Sequence, residues 1–122
     1  MGLDLTVLEQ TDFRKDEHGR MQYTVTELHN FRPNGHKIME YVNDLSDMGN
    51  CSTVCVDAKD FVCALKNMKD DMLLIEHDGE HYANEENELK NAIEDLEGFL
   101  LDNDIQDDIE YGDRTFEVHL WF

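Results

Sequence analysis

Bases are scarce in this chain. Ten Lys and Arg residues stand against 29 Asp and Glu, a formal charge of −19 over 122 residues. A protein so charged is repelled by nucleic acid and anionic membrane and drawn to basic surfaces. Proline is scarcer still, with Pro33 alone, and no proline-rich linker, internal repeat or low-complexity tract divides the sequence. We therefore expect one domain over residues 1–122, long enough to bury a core without staples. No apolar run approaches membrane-spanning length, and no basic region opens the chain as a secretory signal would. The cysteines are Cys51, Cys55 and Cys63, an odd number without the paired Cys-x-x-Cys of a zinc ribbon, so reduced thiols in a cytoplasm are expected. A phosphate loop, a nucleophile elbow and a basic aromatic patch for RNA or DNA are also missing. These absences point away from an enzyme and from any cofactor or structural metal.

What is present is a folded protein's apolar content, 40% with 9% aromatics, and a very uneven charge. Met1 to Lys69 carries eleven acids and eight bases, whereas Asp70 to Asp113 carries seventeen acids against Lys90 alone. Within that acidic segment Leu89, Ala92, Ile93, Leu96, Phe99 and Leu100 recur at three- and four-residue steps, the period of one helix face. The other side carries Glu85, Glu86, Glu88, Glu94, Asp95 and Glu97. The spacing predicts an amphipathic helix over 84–101, its apolar stripe in a core and its acids in water. Threading of Leu, Ile and Phe through the run argues against disorder.

The rest of the chain fits around that helix. Leu3, Leu5 and Val7 alternate with polar residues as a strand, and so do Tyr23 and Val25 in a run ending near Leu28; Lys15 to Arg20 between them is turn material, which makes a long hairpin. Phe31, Gly35, Ile38, Val42 and Leu45 mark a helix, with Asn30 as its N-cap and Pro33 in the first turn, where a missing N–H does no harm. Ser52 to Val56 is β-prone and either pairs in the sheet or bridges to the next helix. Asp57 then suits an N-cap, with Phe61, Leu65, Met68 and Met72 on the buried side. Asp78-Gly79, between Leu73–His77 and Glu80–Tyr82, reads as a two-residue hairpin turn. Asp102 to Asp113 reads as a loop, and Phe116, Val118, Leu120 and Phe122 as a last strand. The fold class expected is α+β: an antiparallel sheet from the N-terminal hairpin and the C-terminal strand, with about three helices packed on it.

The opening Met1-Gly2-Leu3-Asp4, the helix near Phe31 to Leu45, the Asp57-capped helix, the acidic penultimate helix and the aromatic last strand follow one another in a layout that resembles small uncharacterised phage and prophage proteins opening Met-Gly-Leu-Asp. The chain departs from that pattern over Ile75 to Tyr82, where those proteins carry a Gly- and Phe-rich stretch. The family brings no settled activity; the resemblance implies a phage origin and a host cytoplasm.

Several motifs invite chemistry. His77-Asp78-Gly79-Glu80-His81 has the H-x-x-E-H spacing of inverted zinc proteases, but that chemistry needs both histidines one helical turn apart, and Asp78-Gly79 argues for a hairpin that would point them to different sides. Asp102, Asp104, Gln106, Asp108 and Glu110 resemble a calcium loop, with Asp107 where the tight turn needs glycine and Asp113 in place of the final Glu. Met1 to Thr6 formally matches a myristoylation signal, against which stands the strand pattern of the same residues. Cys55, between two valines, reads as a small core residue. Strand alternation sends Trp121 to the face opposite Phe116 and Phe122, either covered by another element or free to anchor a partner or second subunit.

The remaining signal is the acidic surface itself: Glu85, Glu86, Glu88, Glu94, Asp95 and Glu97 on the helix, then Asp102, Asp104, Asp107, Asp108, Glu110 and Asp113 in the loop. DNA-binding proteins meet phosphates with arrays of Lys and Arg, and a rigid row of carboxylates offers the same arrays a substitute. The expected partner is a basic, nucleic-acid-binding host protein of defence or transcription, inhibited by a non-enzymatic DNA mimic; direct binding to nucleic acid or membrane is not expected. The alternative is a small-ligand binder that sequesters a metabolite or signalling nucleotide through Arg14, Lys15, Arg20 or Arg32.

Overall fold

The computed structural model describes residues 4–78, 83–105 and 114–121, and of residues 77, 78 and 83 the backbone alone. Strand β1 (Asp4–Lys15) turns at Asp16 to Gly19 into β2 (Met21–Asn30). The turn is held by the Asp16 carboxylate, which accepts the backbone N–H groups of His18 and Arg20 at 2.8 and 2.9 Å. Gly19 takes φ +77°, a left-handed conformation that glycine adopts without strain. β3 (Ser52–Asp57) and β4 (Thr115–Trp121) complete a wholly antiparallel sheet in the order β2-β1-β4-β3.

The register explains the sequence alternation. Leu5 lies opposite Leu120 and Val7 opposite Val118, with Val54 and Val56 flanking Val118 and Phe116 from β3. Residues paired across strands share a face, so this row is the sheet's inner side. It is covered by α1 (Gly35–Tyr41), a 3₁₀ turn (Asn43–Leu45), α2 (Ala58–Asp78) and α3 (Ala83–Asp102). Four residues separate α2 from α3, and the five steps from Asp78 to Ala83 reach at most about 18 Å, far short of the roughly 30 Å a parallel return would need, so the two helices run antiparallel. Leu89, Ala92, Leu96, Phe99 and Leu100 are buried as the period requires. At the centre Phe99 meets Phe31, Phe61 and Phe116 edge-on, with ring centroids 5.3–5.9 Å apart, a geometry the ring quadrupoles favour.

Three expectations are corrected. The first helix is shorter than 31–45: Arg32, before Pro33, is pushed out of the α region, Arg32 to Asn34 form a turn, and α1 starts only at Gly35. Asn30 is not its cap but closes a local turn, its Oδ1 accepting the Arg32 N–H at 3.0 Å. Phe31, Gly35, Ile38, Val42 and Leu45 are nonetheless all buried, because helix and 3₁₀ turn carry the stripe across the break at Val42. The hairpin over Leu73–Tyr82 does not form: Leu73 to Asp78 continue α2, and residues 79–82 lie outside the described segments. Cys55 is exposed rather than a core residue; it faces Glu117 on the sheet's outer side, one step out of phase with Val54 and Val56. Ser52 to Val56 pairs, as the strand β3.

Candidate protein-binding surface

An acid on α3 is displayed or consumed according to its angle about the helix axis. The buried stripe points at the sheet, and Glu94 lies on the side directly away from it, exposed. Asp95, one residue on, swings towards the hairpin, where its carboxylate meets His29 Nε2 at 2.7 Å and accepts the Asn34 side-chain N–H at 3.0 Å. Its side chain is 20% accessible, against 65% for Glu88. Asn34 thus spends its amide on Asp95 instead of capping α1. Glu97 turns the other way, to Lys69 of α2 at 2.8 Å, and Glu88 leans to Lys37 of α1 at 3.7 Å.

The acids expected to form one face therefore part: some are drawn to partners on the helix's two flanks, and others stay open to water at its start, on its outer side and past its end. Glu85, Glu94, Asp102 and Asp104 are exposed, Glu86 is half-buried, and Asp70 and Glu76 extend the acidic surface onto α2. From Glu85 to Asp102 the helix runs about 26 Å, a length over which B-DNA presents about fifteen phosphates. Asp107, Asp108, Glu110 and Asp113 lie outside the described residues, as do Gln106 of the calcium-like spacing and Glu80 and His81 of the H-x-x-E-H spacing. Among the described residues no group of three or more His, Cys, Asp or Glu side chains is placed to hold a metal ion.

A carboxyl and a phenol inside the acidic surroundings are perturbed. Asp60, in the first turn of α2, has its pKa raised by burial, by a hydrogen bond with Asp44, and by the charges of Asp44 and Asp57. Tyr41 donates its hydroxyl to Asp71, and burial together with that carboxylate pushes the phenol well above its ordinary range.

The outer face of the sheet carries a cluster that sequence reasoning missed. Gln10 of β1, the one buried polar residue among those described, donates from Nε2 to Glu117 Oε2 at 2.9 Å and lies 3.5 Å from Cys55 Sγ. Glu117 Oε1 also lies 2.6 Å from His119 Nε2, and the hydrogen bonds from Gln10 and His119 lower the Glu117 pKa. Register alone joins these residues, Cys55 opposite Glu117 and Thr53 opposite His119, so no linear motif signals them. Trp121 stands at the end of the same face, exposed rather than covered.

The bases invoked for a nucleotide pocket are dispersed. Arg14, Lys15 and Arg20 sit exposed at the far end of the hairpin, and Arg32 approaches Asp4 at 3.5 Å. A hollow of about 710 Å³ beside α2 is lined by Asp70, Leu73, Leu74 and Glu76, a lining hostile to anions. No described helix is long and apolar enough to cross a membrane. Compared with known protein families, with curated proteins and with solved structures, the chain matches none.

Proposed function

We propose that the protein is a non-enzymatic, acidic inhibitor that binds a basic, nucleic-acid-binding host protein, with a phage origin and the host cytoplasm as its setting. The observation that carries this reading is the set of exposed carboxylates that α3 and the turn after it leave without a partner in the fold. Glu85, Glu94 and Asp102 of α3 and Asp104 in the turn just past its end are exposed, and none of the four is in an ion pair among the described residues. Carboxylates without internal partners gain most from an external cationic one, because their attraction to it does not compete with an existing pair. Asp95, Glu97 and Glu88 are secondary, since each already answers a group of its own fold.

The test is a comparison of wild type with the variant Glu85→Gln, Glu94→Gln, Asp102→Asn and Asp104→Asn. Side-chain size is kept and the apolar stripe is untouched, so the variant should fold. Proteins captured from host lysate by wild type, and lost with the variant or in 1 M salt, where the Debye length falls to about 3 Å, are the expected targets. A captured target should then be displaced by duplex DNA. Targets held equally by both forms, or indifferent to duplex, would sink the reading.

A further inference from the structure

The strand β2 is an edge without a guard. Its only neighbour in the sheet is β1, and Met21 to Glu27 are exposed residue after residue. Natural edge strands are blunted by proline, by lysine, by bulges or by brevity. β2 has ten residues, no proline, no lysine and a single acid, Glu27; its own bulge, at Leu28, falls past the exposed stretch, and the second irregularity of the ladder is a bulge of β1, at Asp12 and Phe13 opposite Tyr23, not of the edge strand itself. Three large apolar side chains project from one side of it: Met21 (57% accessible), Tyr23 (41%) and Val25 (40%). Phe13 of β1, itself half exposed, packs on Tyr23 with ring centroids 5.7 Å apart. Beyond Gln10, where pairing with β4 ends, this part of the hairpin is a bare two-stranded ribbon, a form of marginal stability in water.

We infer that β2 pairs with β2 of a second copy, antiparallel across a two-fold axis at Thr24, to make one continuous eight-stranded sheet. The register follows from side chains and charge. Centred on Thr24, Tyr23 faces Val25 of the second copy, an aromatic on β-branched pair of the kind that stabilises antiparallel strands, and Gln22 faces Thr26. Glu27 comes opposite Met21 and beside Arg20 of the second copy. Neither Glu27 nor Arg20 is in an ion pair among the described residues, so the two-fold axis supplies each with its opposite, twice.

The net charge does not forbid this approach. Residues 11–30 hold four acids and three bases, whereas the acidity of the molecule lies from Asp70 onward. Each copy's α3 is bonded to β2 through His29, five residues from the proposed axis. The two contacts fall on opposite sides of it, about 34 Å apart along the strands, against a Debye length of about 8 Å at physiological salt. Salt that screens the residual repulsion also weakens the Glu27–Arg20 pairs, so a dimer held mainly by strand pairing and the Tyr23–Val25 contacts should depend far less on salt than binding through the acidic helix.

The experiment is sedimentation of the whole chain over a dilution series, at low and high salt. The expected species has twice the 14.3 kDa mass of the chain. Val25→Lys and Tyr23→Lys, at exposed positions, should give the single mass with an unchanged circular-dichroism spectrum. In a background of Cys51→Ser, Cys55→Ser and Cys63→Ser, Thr24→Cys should form an intermolecular disulfide on oxidation, since directly opposed residues lie about 5 Å apart. Gln22→Cys should not, being about 14 Å from its own copy in this register. Wild type at single mass at every concentration, a dimer that persists in both Lys variants, or cross-linking through Gln22→Cys in place of Thr24→Cys would each overturn the proposal; the first of these needs no variant to fold.

Discussion

Two neighbours on one helix show how little residue type says about role. Glu94 and Asp95 are both acids of α3, yet only Asp95 holds other parts of the fold, joining His29 of β2 to Asn34 before α1. Asp95→Ala leaves two half-buried polar side chains without their partner and should destabilise by about 1–3 kcal/mol, whereas Glu94→Ala should stay within about 0.5 kcal/mol. Urea titrations of the two variants side by side check this; equal effects would contradict the assigned role. Asp60 makes the opposite case. Its carboxyl pKa is raised in the folded state by burial and by Asp44 and Asp57, so ionisation works against folding, and stability should rise as pH falls through the folded pKa towards the ordinary carboxylate range. Asp60→Asn keeps a hydrogen-bonding side chain and removes the charge. Relief of like-charge repulsion worth about 0.5 kcal/mol should raise the melting temperature at pH 7 by about 2 °C, and the advantage should vanish near pH 4, as thermal melts at the two pH values will show.

Between elements, one base ties the end of α3 to the start of β4. Arg114 donates from Nε and Nη2 to the two oxygens of Glu9 at 2.7 and 3.0 Å, and from Nη1 to the Asn103 carbonyl at 2.5 Å, with its guanidinium 5.2 Å over the Phe116 ring. Arg114→Ala removes a bidentate, partly buried pair and strands Glu9, and should lower stability by about 2–4 kcal/mol in denaturant unfolding. Arg114→Lys should recover only part of it, because an ammonium cannot fork to both oxygens. Elements of this kind divide into legible and illegible ones. α3 was legible because its whole buried stripe is local and periodic, and the two hairpin strands because turn residues separate alternating runs. Leu73 to Asp78 are illegible because Asp78-Gly79 is a strong turn signal, while the helix they extend is held by contacts to α3 that no local pattern carries. Two valines flanking Cys55 suggest a core residue, but in an edge strand paired on one side alternation outweighs neighbours. The acidic row was legible as charge, but its division among His29, Lys69 and open water depends on which element each flank of the helix meets.

For the molecule as a whole, the sheet is closed by its most distant strands. β1 pairs along Asp4 to Gln10 with β4, so Asp4 adjoins Trp121 across 117 positions of sequence. A fold whose central ladder is so non-local should refold in milliseconds to seconds, and stopped-flow fluorescence of Trp121, the one tryptophan, reads the closing strand directly; microsecond refolding would be inconsistent with it. The same ladder has a consequence during synthesis. At about 5–20 residues per second, β4 follows β1 out of the ribosome by roughly 6–23 s. Through that interval the hairpin stands without the strand that seats Leu5 and Val7, and β1 offers a second open edge beside that of β2. The newly made chain is therefore at its stickiest before it is finished, and in that window a chaperone has most to gain from holding it.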